Sequence, residues 1–358
     1  MKKEILLMAG PTAIPEKALV SMNRQVMFHR SPEFQEISKE LNENLKVVFQ
    51  TKQEVLTLTG SGTAAMEAAI VNCFSPQDEV IVVVLGVFSA RMASMCEAFG
   101  LKVKRVEKAY GEVASVEDVM SCMTENTKGV FVIHNESATG VTSDIKAFGE
   151  ALKDTNALLV VDSVSGIGAL EFRMDEWHVD VALTGSQKAL MGPPGLSLIA
   201  LSEKAWKANE NARLPRFYFD LSMARKYALD GQHPWTPAVY QIIGLNETVK
   251  MIVKEGMENV YMRHAFLSDM VVNGMADLGI LLFTKDKAHA SKSVNTFYYK
   301  KSRDFVKLLL EDYGIRIYGG QDTLNETTFR VGTMGYVAET DIQAFLYAAK
   351  KVLEKLEA

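Results

Sequence analysis

The chain has 358 residues, room for two domains at ~100–200 residues each, and its 48% hydrophobic and 23% charged content is that of an ordinary globular protein. A net charge of −5 without any long basic run excludes a nucleic-acid binder working by broad phosphate neutralisation. The only cysteines, Cys73, Cys96 and Cys122, form no CxxC pair, which excludes a disulfide scaffold or a cysteine zinc site and points to a reducing, cytoplasmic setting.

Residues 1–20 read as an N-terminal arm. Lys2 and Lys3 imitate the start of a secretory leader, but Glu4 precedes the short apolar patch and Pro11 closes it. Ser31-Pro32-Glu33 reads as a helix start, and Ile37, Leu41, Leu45, Val48 and Phe49 follow at helical spacing. From residue 55 to 201 short apolar runs alternate with helix-like stretches. The runs are Val55–Leu58, Val80–Leu85, Lys102–Val106, Gly129–Ile133, Leu158–Val161, Val179–Leu183 and Leu196–Leu201. Most are continuous, which predicts strands of a mostly parallel sheet buried on both faces by helices. The longest run, at 80–88, is too short to cross a membrane.

Residues 21–255 are therefore expected to form a large α/β domain and residues 256–358 a smaller α/β one. In the latter, strands are predicted at Leu278–Phe283, Val294–Tyr299, Ile315–Tyr318 and Thr328–Val331, with Phe305–Leu310 in a helix. A last helix puts Ile342, Phe345, Leu346, Ala349, Leu353 and Leu356 on one face.

Three motifs can carry chemistry. TGSGTAAMEAA at 59–69 joins a strand to an Ala-rich helix through a Gly-rich turn. Unpaired N–H groups and the positive end of the helix dipole bind phosphate at such a place. Gly60, Gly62 and Ala65 also fit a dinucleotide fingerprint, but the strand that should end in an acid reads Val84-Leu85-Gly86. No lysine follows the glycines as a P-loop requires. In ALLVVDSVSG at 157–166, Asp162 closes a buried strand, where a carboxylate is costly unless a cation or donor meets it. In ALTGSQKALMGPPG at 182–195, Lys188 stands just past a strand end, where lost solvation lowers a lysine pKa towards that of a Schiff-base lysine. A phosphate cup, a strand-end carboxylate and a strand-end lysine together meet the needs of pyridoxal phosphate, whose ring becomes an electron sink when its nitrogen is kept protonated.

With these motifs in this order, and with AGP at 9–11 and FRVG at 329–332, the chain resembles a class V aminotransferase of the fold-type-I pyridoxal-phosphate family. It is most similar to the alanine–glyoxylate, serine–pyruvate and serine–glyoxylate branch. The resemblance implies that Lys188 anchors the cofactor and shuttles a proton, and that Asp162 pairs with the pyridine nitrogen. Ser61, Gly62, Thr63 and Gln187 would line the phosphate, Phe88 would stack on the ring, and Ser137 in HNESATG at 134–140 would lie beside it. Thr236 in GQHPWTPAV at 231–239 would reach the phosphate of a neighbouring subunit, which implies a homodimer with shared active sites. Arg330 would grip the substrate carboxylate and Gly10 would lie beside the substrate. Three positions depart from the branch: Phe88 replaces a common Trp, Thr63 a frequent His, and His233 a frequent Tyr. On pattern alone Phe88 reads as core and Arg330 as a solvated strand residue.

The function implied is transfer of an amino group from alanine or serine to glyoxylate or pyruvate by a ping-pong mechanism, with no metal, nucleic acid or membrane partner. A lyase or desulfurase on the same cofactor is the alternative. A desulfurase needs a late cysteine and a stacked histidine, whereas no cysteine follows Cys122 and Phe88 takes the stacking place. A nucleotide-binding dehydrogenase is a more distant reading.

Overall fold

The computed structural model describes residues 4–357; Lys2 and Lys3 lie outside the described residues. Seven strands form the central sheet: β1 (Val55–Thr59), β2 (Glu79–Val84), β3 (Lys102–Glu107), β4 (Thr127–Ile133), β5 (Leu158–Asp162), β6 (Val181–Gly185) and β7 (Leu196–Leu201). Their order is β1-β7-β6-β5-β4-β2-β3. All neighbours are parallel except β7, which runs against both β1 and β6. The continuous apolar runs behave as predicted, because alternate residues of one strand serve two cores. Leu159 and Val161 of β5 pack with Phe34, Leu41 and Leu45 of helix α1 (Pro32–Phe49). Leu158 and Val160 face the opposite core, with Ala65, Met66 and Ile70 of α2 (Gly62–Cys73) and Met92 and Cys96 of α3 (Val87–Ala98).

The strand expected at Lys102–Val106 forms, runs on to Glu107 and is the edge of the sheet, with Lys102, Lys104 and Glu107 exposed along the open edge. One expectation is corrected here. The strand read at Val179–Leu183 begins at Val181 and continues to Gly185.

Beyond α4 (Val239–Glu255), α5 (Met257–Asp277) leads to a second hydrophobic core. A three-stranded antiparallel sheet lies there, with β10 (Thr328–Gly332) between β8 (Val294–Tyr298) and β9 (Tyr318–Gly319). Phe297, Phe329 and Val331 pack on Phe305 and Leu309 of α6 (Ser302–Tyr313) and on Ile342, Phe345, Ala349 and Leu353 of α7 (Glu339–Glu357). The strand predicted at Leu278–Phe283 does not form. Gly279, at φ +79°, turns the chain off α5, Leu281 is 68% exposed, and only Leu282 makes a bridge, to Phe297. The arm reaches this core as well: Ile5–Leu6 pairs in parallel with Ile315–Arg316, and Leu7 is fully buried among the C-terminal residues.

The chain leaves β2 outwards to β3 and returns across it to β4, so the strand order reverses between β2 and β4. Ligands of open α/β sheets bind outside the carboxyl ends of strands at such a reversal. The loops after β1, β2, β4, β5 and β6 meet along that edge, and they hold most of the residues singled out above.

Candidate active site

The floor of the site is built from strand ends. Asp162 is the last residue of β5 and is 2% exposed. Val164 N–H donates to its Oδ1 at 2.9 Å. Burial pushes its carboxyl up to about 7; the Val164 bond and the charges of Lys188 and Arg91 pull the other way. A carboxylate so placed is stabilised by an N–H donor or a positive charge. The side chain of Val164 packs against the turn after β1, where a Cβ on Gly62 would meet Val164 Cγ2 at 2.6 Å. The second glycine of the motif is thus required by close packing.

That turn opens α2. Ser61 is its N-cap, yet the Ser61 side chain makes no capping bond. The N–H groups of Gly62 and Thr63 are left facing outwards from the helix end, as an anion site requires. Ser197 Oγ is buried beside this turn without a partner, and Gln187 Oε1, buried next to Gly185, has none either. Ser197 lies opposite Leu58 on β1 and Gly185 on β6, which ties the α2 entry to the Gln187-Lys188 loop.

Lys188 donates from Nζ to the Ala9 carbonyl of the arm. Its own carbonyl accepts from Thr12 Oγ1 at 2.9 Å, and Thr12 N–H donates to Gln187 O at 3.0 Å. Gly10, at φ +95°, presses on the lysine stem more closely than any Cβ could. Desolvation lowers the Lys188 amine to about 8, helped by the charge of Arg330 and opposed by Asp162.

Arg330 is 4% exposed, which overturns the reading of a solvated strand residue. Its neighbours Phe329 and Val331 fill the C-terminal core, so the period of two sends Arg330 to the other face, towards the sheet edge. There Nε donates to Gly319 O at 3.0 Å and Nη1 to Ser137 O at 3.2 Å. Nη2 donates to no described residue. Gly10, Phe88, Lys188 and Arg330 line one cleft of about 420 Å³. Phe88 is half-buried in the first turn of α3, with the Arg91 guanidinium 5.1 Å from its ring centre. Ser137 Oγ donates to Ser165 Oγ at 2.6 Å.

Ser61, Gly62, Thr63, Ser137, Asp162 and Gln187 stand at the strand ends and turns around this cleft without lining it, and Thr236 does not line it either. Thr236 is exposed and lines a separate groove with Thr59, Tyr218, His233 and Trp235 at the end of β1. Arg213, Arg216 and Arg225 do not line the cleft either. Arg216 binds the Val71 carbonyl, and Arg225 pairs with Glu54 over the Trp206 ring.

Reading motifs missed three supporting residues. Thr12 clasps the lysine loop. His134, which burial holds neutral at about 4, makes a 2.9 Å contact from Nδ1 to Ser163 Oγ, while its N–H donates to the Asp162 carbonyl. Glu136, fully buried, accepts from the start of α3. Of these, Glu136 and His134 lie within the HNESATG segment that follows a continuous apolar strand, where a buried acid calls for nearby donors.

The sequence model of "Aminotransferase class-V" matches residues 6–345. The chain belongs to the class V aminotransferase family. It is a pyridoxal-phosphate-dependent transaminase of the fold-type-I architecture. The L-aspartate–glyoxylate aminotransferase of Paracoccus denitrificans is 38% identical over 98% of this chain and 91% of its own length. A Synechococcus relative named "Soluble hydrogenase, small subunit" is 36% identical over 99% of this chain and 94% of its own. Among solved structures, the alanine–glyoxylate aminotransferase of Nostoc superposes with a TM-score of 0.94 at 28% identity, covering 99% of this chain and 96% of that one.

The residues present fit the cofactor. The open helix end and the buried, unpaired Ser197 Oγ, which can donate, suit a phosphate. The buried Asp162 suits a protonated ring nitrogen, and the Lys188 amine is already shifted towards its neutral, nucleophilic form.

Proposed function

We propose that this transaminase moves an amino group from a small amino acid, alanine or serine, to glyoxylate by a ping-pong cycle. Bound pyridoxal phosphate supplies an electron sink and a carrier for the amino group. Lys188 Nζ holds the cofactor between substrates and, as a neutral amine, moves the proton at the substrate α-carbon. The Asp162 carboxylate would accept from the ring nitrogen and keep its proton in place. The N–H groups of Gly62 and Thr63, with Ser61 and Gln187, would hold the phosphate. Phe88 and Ser137 would flank the cofactor. Arg330 binds the substrate carboxylate through Nη2 and the free hydrogen of Nη1, a two-point grip that lysine cannot copy.

The observation that carries the substrate reading is the remaining wall of the cleft. Beyond Gly10 it is made by Tyr318, Gln321 and Asn325, so Lys188 and Arg330 are the only cations among its described lining residues. One arginine serves one carboxylate, which favours a monocarboxylic donor. Glyoxylate is favoured as acceptor because it is named for both aminotransferase relatives above, whose donors differ.

The test is the visible spectrum of the holoenzyme. Alanine or serine should bleach the cofactor band and glyoxylate should restore it. Bleaching by aspartate at lower concentration than by alanine would overturn the donor reading. Restoration by pyruvate but not glyoxylate would overturn the acceptor.

The homodimer belongs to the same proposal. Phe217 is 73% exposed and stacks on Trp235, with ring centres 4.9 Å apart, and Tyr218 stacks on the same indole. Such a cluster beside Thr236 is an uncovered apolar face that a second copy would bury. Sedimentation should give a dimer, and Trp235→Asp should shift it towards monomer with weaker cofactor binding. A fully active monomer would refute this.

A further inference from the structure

Glu136 is a buried carboxylate that none of the roles above uses. It lies just past β4 at the reversal of strand order and is 0% exposed. Oε1 accepts from Phe88 N–H at 3.4 Å and Ala138 N–H at 3.1 Å. Oε2 accepts from Ser89 N–H at 2.9 Å and Ser89 Oγ at 2.8 Å. Three of these four donors are backbone amides, which cannot accept, so the ionised form fits the site. Burial pushes the Glu136 pKa up, and the same donors pull it back.

The geometry serves α3. Its N-cap is Gly86, which has no side chain to offer, and Phe88 and Ser89 carry the orphan N–H groups of its first turn. Glu136 caps that helix from the neighbouring strand. Gly86 makes room, since a Cβ there would meet Glu136 Cγ and Cδ at 2.7 Å. The next residue, Ser137, gives its carbonyl to Arg330 Nη1 at 3.2 Å. The dipeptide Glu136-Ser137 therefore holds the backbone of Phe88 with one residue and the guanidinium of Arg330 with the other. The charge of Glu136 also acts on Arg330 and on Asp162.

We propose that Glu136 is a positioning residue that sets the Phe88 ring and the Arg330 guanidinium in register with each other. The inference rests on Arg330 as the carboxylate-binding group. In Glu136→Gln the amide NH2 must face either the Phe88 and Ala138 amides or the Ser89 amide, donor against donor, so the clasp opens while the volume stays.

The test compares holoenzymes of wild type, Glu136→Gln, Glu136→Asp and Gly86→Ala. Gly86→Ala pushes the carboxylate aside without changing charge. Glu136→Gln should raise KM for amino donor and oxo acid in parallel, about tenfold, and weaken the visible circular dichroism band of the bound cofactor. Gly86→Ala should move both readouts the same way, and this arm decides the matter if Glu136→Gln does not fold. Glu136→Asp should recover part of both. Unchanged KM and dichroism with only a lower melting temperature would overturn the proposal and leave Glu136 a structural cap. Arg330→Gln is measured alongside. If it leaves KM unchanged, the carboxylate assignment fails; if it raises KM while Glu136→Gln and Gly86→Ala do not, the positioning role alone fails.

Discussion

The floor and the far wall of the cleft are built in opposite ways. On the floor, Asp162 and Lys188 sit at or just past the ends of strands whose side chains are packed on both faces, and backbone bonds to Thr12, Val164 and Ala9 fix them. The wall at Tyr318–Asn325 is a two-residue strand ending in Gly319, then Gly320, Gln321 and a short 3-10 turn, and Asn325 is exposed. Chemistry common to a whole family belongs on the rigid side, and choice of substrate belongs on the side that can vary without disturbing the sheet. Arg330 joins the two, since it stands on a packed strand but binds the Gly319 carbonyl of the wall.

Three experiments press on that contrast. The largest effect is expected at the floor. Lys188→Ala should cut turnover by on the order of 10⁴-fold or more, because one group both anchors the cofactor and transfers the proton. Near-normal turnover without added amines would remove the floor from the chemistry. At the joint, Arg330→Lys should lower kcat/KM by ~10–100-fold, mainly through KM, as a point charge replaces a fork. An equal fall in kcat with KM unchanged would show that the arginine acts in the reaction step and not in binding.

The third effect is a pH profile. Lysine captures the cofactor aldehyde as the neutral amine, and burial brings Lys188 down to about 8 from 10.5. The neutral fraction therefore grows as pH rises towards 8 and levels off above it. Loading of cofactor-free protein, followed by absorbance, should rise and flatten in that way. An exposed lysine would keep gaining about tenfold per pH unit up to ~10, and such a profile would contradict the buried setting.

The same contrast explains what could be read from the chain. Continuous apolar runs give their strands away, and the polar residue that ends such a run is by position a sheet-edge residue. Asp162 and Lys188 were therefore visible, and so was the GSGT turn. The wall gave no such pattern. The apolar residues at Leu278–Phe283 imitated a strand, though Gly279 had already turned the chain and Leu281 faces solvent. Arg330 was misread from pattern alone for a related reason. Alternation shows that two faces exist, but not that the second face meets another part of the fold. Thr12, His134 and Glu136 act through contacts with residues far along the chain, which no local pattern shows.

The arm has a consequence for the order of assembly. Leu7 is buried among Phe329, Val331 and Phe345, and Ile5 lies beside Ile315. A few residues later Ala9 and Thr12 grip the lysine loop. On a growing chain this arm has nowhere to bury itself until the segment from Ile315 to Phe345 has emerged. The sheet and its lysine can fold earlier, but the cleft closes only when the arm meets that later segment.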